Sequence, residues 1–289
     1  ALGIPCVHTP HVFPFEWAKS GMLRCLFRIL ERRAARWCDR IVLLSDAQRE
    51  LAYAVGLGPI ERLDVIPNGV DAEHFRPATP AERQAARKRF DVAGNVPVVG
   101  MAARFEPQKG VGDFLRAAAG LRQRIPRVRF FLAGDGSMQD EARARVDRLG
   151  LTDAVTFCGN VAHMLEFYHA LDCFVLASLW EGCPYVILEA QACRLPVIAT
   201  RTWGAEAVID DGETGLLVDV GDEHALARRM ERVLTDPGLA EHLAAWGRAR
   251  VEQQYTLGRW AESLEHVYKR VLADRAALDA KQGGGDPEG

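Results

Sequence analysis

Four residues stand out for the chemistry their side chains could do together: Arg104, Lys109, Glu181 and Glu189. Arg104 and Lys109 flank a segment holding Pro107 and Gly110, between a strand-like apolar run and a helical one. A forked guanidinium and an ammonium there, beside the free N–H groups of a helix start, suit a diphosphate. Lys109 is one of five lysines against 31 arginines, so a lysine at this place is informative. Taken alone, the pair also reads as two solvated loop cations. Glu181 likewise follows an apolar run, and Glu189 lies within Val186-Ile187-Leu188-Glu189-Ala190, an otherwise buried-looking stretch. A carboxylate can accept two hydrogen bonds from a vicinal diol such as a ribose, and Glu181 can do the same for sugar hydroxyls. Between them, Gly182 and Cys183 offer backbone N–H groups, whereas Pro184 has none. The plain alternative is a helix N-terminal carboxylate at 181 and a surface residue at 189.

These residues need elements to hold them. Apolar strand candidates occur at Ile4–Thr9, Arg40–Ser45, Leu63–Ile66, Val96–Ala102, Val128–Ala133, Val155–Cys158, Cys173–Ala177, Pro196–Ala199 and Gly215–Val218. Helical stretches lie between them, among them Val111–Arg124, Met138–Leu149, Tyr185–Cys193 and Glu223–Leu234. Strands apolar throughout and separated by helices predict parallel, doubly wound α/β sheets. The alternation breaks once, at Asp71–Asn95, which reads as a linker with a short helix and suggests two Rossmann-like domains.

The chain has 289 residues, 48% hydrophobic and 26% charged, with a net charge of -3. That is enough chain for a large core, and the charge argues against a protein that coats nucleic acid. No run of 18 apolar residues predicts a membrane-spanning helix. Seven scattered cysteines form no CxxC pair, which argues against a zinc ribbon or disulfide framework and for a reducing compartment. The first residue is Ala, and the opening reads as the end of a turn leading into a strand. The natural start is therefore expected upstream, leaving the first domain incomplete.

The motifs together resemble those of the family 4 retaining glycosyltransferases, enzymes of the GT-B fold. Ile66-Pro67-Asn68-Gly69-Val70-Asp71, with Phe75, looks like the segment that ends their N-terminal domain. Gly100-Met101-Ala102-Ala103-Arg104 through Lys109-Gly110 resembles their "GR…KG" loop. Glu181-Gly182-Cys183-Pro184 through Glu189-Ala190 resembles their E-x7-E motif, and Thr9-Pro10-His11 their "TPH" strand end. The likeness covers nearly all of residues 1–275. Two places depart from it: Pro184 stands where Gly is common, and Ala207 where Glu is usual, with Glu206 one residue early.

The resemblance implies two Rossmann-like doubly wound parallel-sheet domains: a partial N-terminal one over 1–75, a linker over 76–95 and a nucleotide-sugar-binding domain over 96–252. A helix over 253–276 would cross back to the first domain, and 277–289 would be a disordered tail. It implies a metal-independent hexosyltransferase moving a hexose from a nucleoside diphosphate sugar to a lipid-linked or glycan acceptor hydroxyl. Arg104, Lys109, His11 and Glu181 would be catalytic. Glu189, Gly182, Cys183, Pro184, Gly159 and Asn160 would bind the donor, and Pro67, Asn68 and Gly69 would form the hinge. No metal site and no cofactor is expected, since the nucleotide sugar is a substrate and the chain has no Asp-x-Asp. Without the start of the first domain, nucleotide binding without turnover is the expectation for this chain. A GT-B sugar-nucleotide 2-epimerase and a non-catalytic sugar-nucleotide-binding subunit are the competing expectations.

One further segment bears on location. Within Trp17–Arg40, Arg24, Arg28, Arg32, Arg36 and Arg40 recur every four residues, with Lys19 and Arg33 adding charge. Leu23, Leu26, Phe27, Leu30 and Trp37 supply an apolar face. Such a helix can lie on an anionic membrane surface, or pack its apolar face on a sheet and show its arginines to water. The expectation is a cytoplasmic protein, peripheral on the inner face of the plasma membrane, with no nucleic-acid partner.

Overall fold

The computed structural model describes residues 4–18 and 20–283. Compactness divides the chain into two units at Asn68/Gly69, the second running Gly69–Leu257 and the chain from Gly258 rejoining the first.

The first unit holds β1 (Val7–His8), α1 (Pro14–Trp17), α2 (Gly21–Ala35), β2 (Arg40–Leu43), α3 (Asp46–Ala54) and β3 (Leu63–Val65). The three strands form a parallel sheet in the order β1-β2-β3. β1 is shorter than the expected Ile4–Thr9, because Pro5 and Pro10 flank it and cannot donate to a ladder. Phe13, Phe15, Ile41, Leu43 and Ala52 form its core.

The second unit begins with α4 (Pro80–Arg89). It continues through β4 (Val98–Ala102), α5 (Val111–Arg124), β5 (Arg129–Ala133), α6 (Gln139–Arg148), β6 (Val155–Gly159), α7 (Met164–Ala170) and β7 (Cys173–Leu176). It ends with α8 (Tyr185–Ala192), β8 (Val197–Thr200), α9 (Trp203–Val208), β9 (Leu216–Val218), α10 (Glu223–Thr235) and α11 (Pro237–Gln254). The six strands are parallel in the order β6-β5-β4-β7-β8-β9. The order reverses between β4 and β7, and in open α/β sheets ligands bind at the carboxyl ends of the strands at that switch point. α5 shows why the local sequence obeys: Val111, Phe114, Leu115, Ala118 and Leu121 recur at helical spacing and are buried against the sheet.

α12 (Leu257–Gly283) closes the chain. Val267 and Val271 on it pack with Val42 and Ile66 in the first unit. Residues 277–283, expected to be disordered, continue this helix, and 284–289 lie outside the described residues.

Residues 76–95, expected as a linker, fall within the second unit. Thr79 and Glu82 form a capping box that starts α4, with Pro80 at its first position. Two of its arginines then turn inward. Arg83 Nη2 donates to Asp172 Oδ1 at 2.5 Å, and Arg87 reaches Asp172 Oδ2 at 3.4 Å. Asp172 Oδ2 also accepts the Val98 N–H at 2.8 Å. Arg83 and Arg87 thus clamp this helix to the sheet through one carboxylate.

Candidate active site

The loop after β4 is a single tight turn, Pro107–Lys109, that ends on Gly110. Gly110 has φ +63°, and a Cβ there would lie 1.9 Å from the Ala177 carbonyl oxygen. Only glycine fits, so the loop rides directly on the end of β7. Two hydrogen bonds stitch it down: the Leu179 N–H donates to Gln108 O at 2.7 Å, and Gln108 Nε2 donates to Trp180 O at 2.9 Å.

This contact brings two of the expected residues together. Lys109 Nζ donates to Glu181 Oε1 at 2.6 Å, with side chains 17% and 9% exposed. Ser178 Oγ donates to the same oxygen, also at 2.6 Å. Ser178 is itself held by Thr200 Oγ1, which donates to its carbonyl. Among the described residues nothing hydrogen-bonds Glu181 Oε2, so one oxygen anchors the carboxylate and the other is available. Arg104 is different: it is exposed, and its guanidinium has no partner among the described residues. Its loop is braced from behind by Gly134-Asp135-Gly136, whose glycines have φ +119° and +158°. A Cβ on Gly134 would sit 1.9 Å from Ala103 O, and one on Gly136 2.6 Å from Phe105 O. The Phe105 N–H donates to Asp135 O at 2.8 Å. The two glycines thus serve a close backbone approach rather than a turn alone.

α8 starts at Pro184, its N-cap. The Gly182 N–H has no partner among the described residues, and Cys183 is buried. α9 supports this loop: the Gly204 N–H donates to Glu181 O at 3.2 Å, and a Cβ on Gly204 would lie 2.5 Å from Gly182 O. Glu189 is half-buried rather than a surface residue. Tyr168 Oη donates to its Oε2 at 2.7 Å. Burial raises the Glu189 carboxyl above its ordinary value, partly offset by the Tyr168 hydroxyl and by His74.

Gly159 ends β6 with φ +63°, its carbonyl accepting the Gly134 N–H at 2.7 Å, and Asn160 beside it is exposed. Cys158, next to them, is pushed up to about 11 by burial. His11 lies in the first unit, exposed, after Pro10, whose carbonyl accepts from Gln48 Nε2 at 3.0 Å. Pro67, Asn68 and Gly69 span the division between the units, and Asn68 is buried. Glu206 reaches Arg201 at 3.4 Å, while the Ala207 carbonyl accepts from Tyr255 Oη at 2.8 Å. Sequence reading missed Ser178, Thr200, Gln108 and Tyr168. Ser178 lies three residues before Glu181, but Tyr168 left no signal beyond an aromatic in a helical stretch.

Among the described residues, no cluster of three or more His, Cys, Asp or Glu side chains is arranged to hold a metal ion. None of the described helices is long and apolar enough to cross a membrane.

The sequence matches the glycosyl transferases group 1 family over residues 82–250 and glycosyltransferase family 4 over residues 1–74. It is 28% identical to a UDP-Gal:alpha-D-GlcNAc-diphosphoundecaprenol alpha-1,3-galactosyltransferase of Escherichia coli, covering 94% of this chain and 71% of the relative. It is 33% identical to a GDP-mannose-dependent alpha-(1-6)-phosphatidylinositol monomannoside mannosyltransferase of Mycobacterium tuberculosis, covering 86% of this chain and 66% of the relative. Among solved structures, Anabaena Alr3699/HepE in complex with UDP and glucose superposes with a TM-score of 0.83 at 25% identity, covering 92% of this chain and 72% of that one.

Proposed function

Because the chain belongs to the group 1 glycosyl transferases, with the GT-B fold and the nucleotide-sugar donors of family 4 glycosyltransferases, we propose that it moves a hexose with retention of anomeric configuration. The donor is a nucleoside diphosphate sugar, and the acceptor is a hydroxyl on a lipid-linked or other glycan. The observation that carries this is the meeting of Lys109 and Glu181 where the strand order reverses.

Arg104 and Lys109 neutralise the charge that develops on the leaving diphosphate, which is where preorganised cations accelerate a reaction most. Glu181 accepts hydrogen bonds from hydroxyls of the donor sugar through its available oxygen, and the Gly182 N–H meets a sugar or phosphate oxygen. Glu189 accepts from the ribose diol. The bond from the anomeric carbon to the phosphate oxygen breaks as the bond to the acceptor oxygen forms on the same face. The acceptor proton passes to the leaving phosphate. The reaction calls for no cofactor and no metal, and His11 hydrogen-bonds the donor sugar or phosphate.

A lipid-linked acceptor is supported by the two relatives, named for an undecaprenol diphosphate and a phosphatidylinositol acceptor. It is also supported by α2. Met22, Leu23, Leu26, Ile29 and Leu30 on it are exposed, while Phe27 is partly buried and Ala35 buried. Arg24, Arg28, Arg32 and Arg33 lie on the same helix. The expected arginine stripe is shorter than the sequence spacing implied: α2 ends at Ala35, and Arg40 opens β2 with an ion pair to Asp64 at 2.7 Å. Lys19 lies outside the described residues. We place the protein on the cytoplasmic face of the membrane through this helix.

The test is incubation of the full-length enzyme with donor alone and with donor plus acceptor, following the anomeric proton by NMR. Product of the donor's own anomeric configuration, formed only with acceptor, is expected. An inverted product overturns retention, and a converted donor without acceptor overturns transfer in favour of epimerisation.

A further inference from the structure

Tyr168 is fully buried in α7, its ring set edge-on against Phe75, Phe167 and Phe174 at 5.9, 5.8 and 5.6 Å between centroids. Nothing in that hydrocarbon surrounding needs a hydroxyl, and a phenylalanine would fill the same volume. Yet the hydroxyl is there, and it donates to Glu189 Oε2 at 2.7 Å, with Val186 O more distant at 3.5 Å. Glu189 Oε1 has no partner among the described residues. A carboxylate oxygen has two lone pairs, so Oε2 keeps one acceptor place and Oε1 both.

We propose that Tyr168 is a positioning residue: its hydroxyl locks the Glu189 carboxylate in one orientation, and this sets the discrimination between a ribose diol and a sugar that lacks it. The inference rests on the reading of Glu189 as the acceptor of the ribose hydroxyls. An unanchored glutamate must be immobilised when ligand binds, whereas one already held by a buried phenol is not. The anchor also keeps polar atoms satisfied before ligand arrives, at a place where burial works against charge. Tyr168 touches no ligand in this scheme and acts only through Glu189.

Calorimetry on the wild-type chain, Tyr168→Phe and Glu189→Gln tests it, with UDP, GDP and ADP and the 2′,3′-dideoxy analogue of whichever binds. Tyr168→Phe is expected to weaken the ribonucleotide about three- to tenfold, the cost of ordering one rotamer-rich side chain, and to leave the dideoxy analogue within about twofold. Equal weakening of both ligands would mean that the hydroxyl only supports packing, and an unchanged ribonucleotide would mean that it does nothing; either result overturns the proposal. Glu189→Gln separates it from the reading beneath it. If that variant keeps the wild-type preference for ribose, or if none of the three nucleotides binds the wild-type chain, the assignment of Glu189 falls. If Glu189→Gln loses the preference while Tyr168→Phe retains it, only the positioning role falls.

Discussion

Lys109 Nζ and Glu181 Oε1 lie 2.6 Å apart although 72 residues separate them in the chain. The pair spans the point where β4 and β7 run side by side, with Val99 opposite Cys173 and Gly100 opposite Phe174. Each carries a role in the proposed transfer, and each also holds the other in place. Arg104 has no such attachment, and this difference separates the two cations experimentally.

Lys109→Ala is expected to lower folding stability by about 1–3 kcal/mol, because it removes a charged partner from a carboxylate that is mostly out of water. Arg104→Ala should stay within about 0.5 kcal/mol of wild type, as exposed substitutions do. Both should cost about 10²–10³ in kcat/KM of the full-length enzyme, the usual worth of one preorganised donor in the transition state. Urea unfolding and steady-state kinetics together check this. Two variants with near wild-type kcat/KM would remove the diphosphate assignment.

Gly110→Ala should be among the most damaging single-methyl changes. The residue has φ +63°, and the new methyl would meet Ala177 O at 1.9 Å. The backbone conformation alone costs a non-glycine residue about 1–2 kcal/mol, and the loop must also lift off β7. Chemical denaturation should show the loss. Stability equal to wild type would mean that the loop is not seated on β7.

Glu189→Gln should weaken nucleoside diphosphate binding by about 1–3 kcal/mol, since one charged acceptor is lost. Its effect on stability has the opposite sign. Burial raises the Glu189 carboxyl from the ordinary 4.5, with the Tyr168 hydroxyl and His74 opposing and the Cys193 thiol nearby. A raised pKa contributes stability that is full below the ordinary value and is lost as pH rises through the folded one. The variant should therefore melt higher than wild type at pH 7, with the gap closing as pH falls towards 4.5. A gap that widens on acidification would contradict this sign.

A chelator is expected to leave nucleotide affinity and turnover unchanged, because in the proposed transfer two side-chain cations neutralise the diphosphate. Activity lost in EDTA and regained with Mg²⁺ or Mn²⁺ would overturn that.

The protein should sediment with anionic liposomes at low salt, less so at high salt, and hardly with neutral ones, since each basic residue adds about 1 kcal/mol near a charged surface. Leu26→Glu and Ile29→Glu on the exposed side of α2 should reduce pelleting without altering nucleotide binding. Failure to pellet with either lipid would leave α2 as a solvated helix.

Much of this protein is legible in its amino-acid order. Strand and helix positions follow from apolar runs and helical periodicity, because β7 or α5 must bury the same side chains in any parallel α/β arrangement. Arg104, Lys109, Glu181 and Glu189 announce themselves by type, spacing and their place after strands. What no local pattern carries is which strands become neighbours. β4 pairs with β7 across two intervening strands, and only that pairing turns Lys109 and Glu181 into an ion pair and seats Gly110 on Ala177. The same holds for charge. Arg83 and Arg87 gain their partner only when Asp172 is folded against them, and only the fold decides that Leu26, on the apolar face of α2, is left exposed. Tyr168 is the clearest case, since its hydroxyl finds Glu189 on α8 only in the folded chain. Side-chain periodicity reports what must be buried; long-range packing alone decides against what.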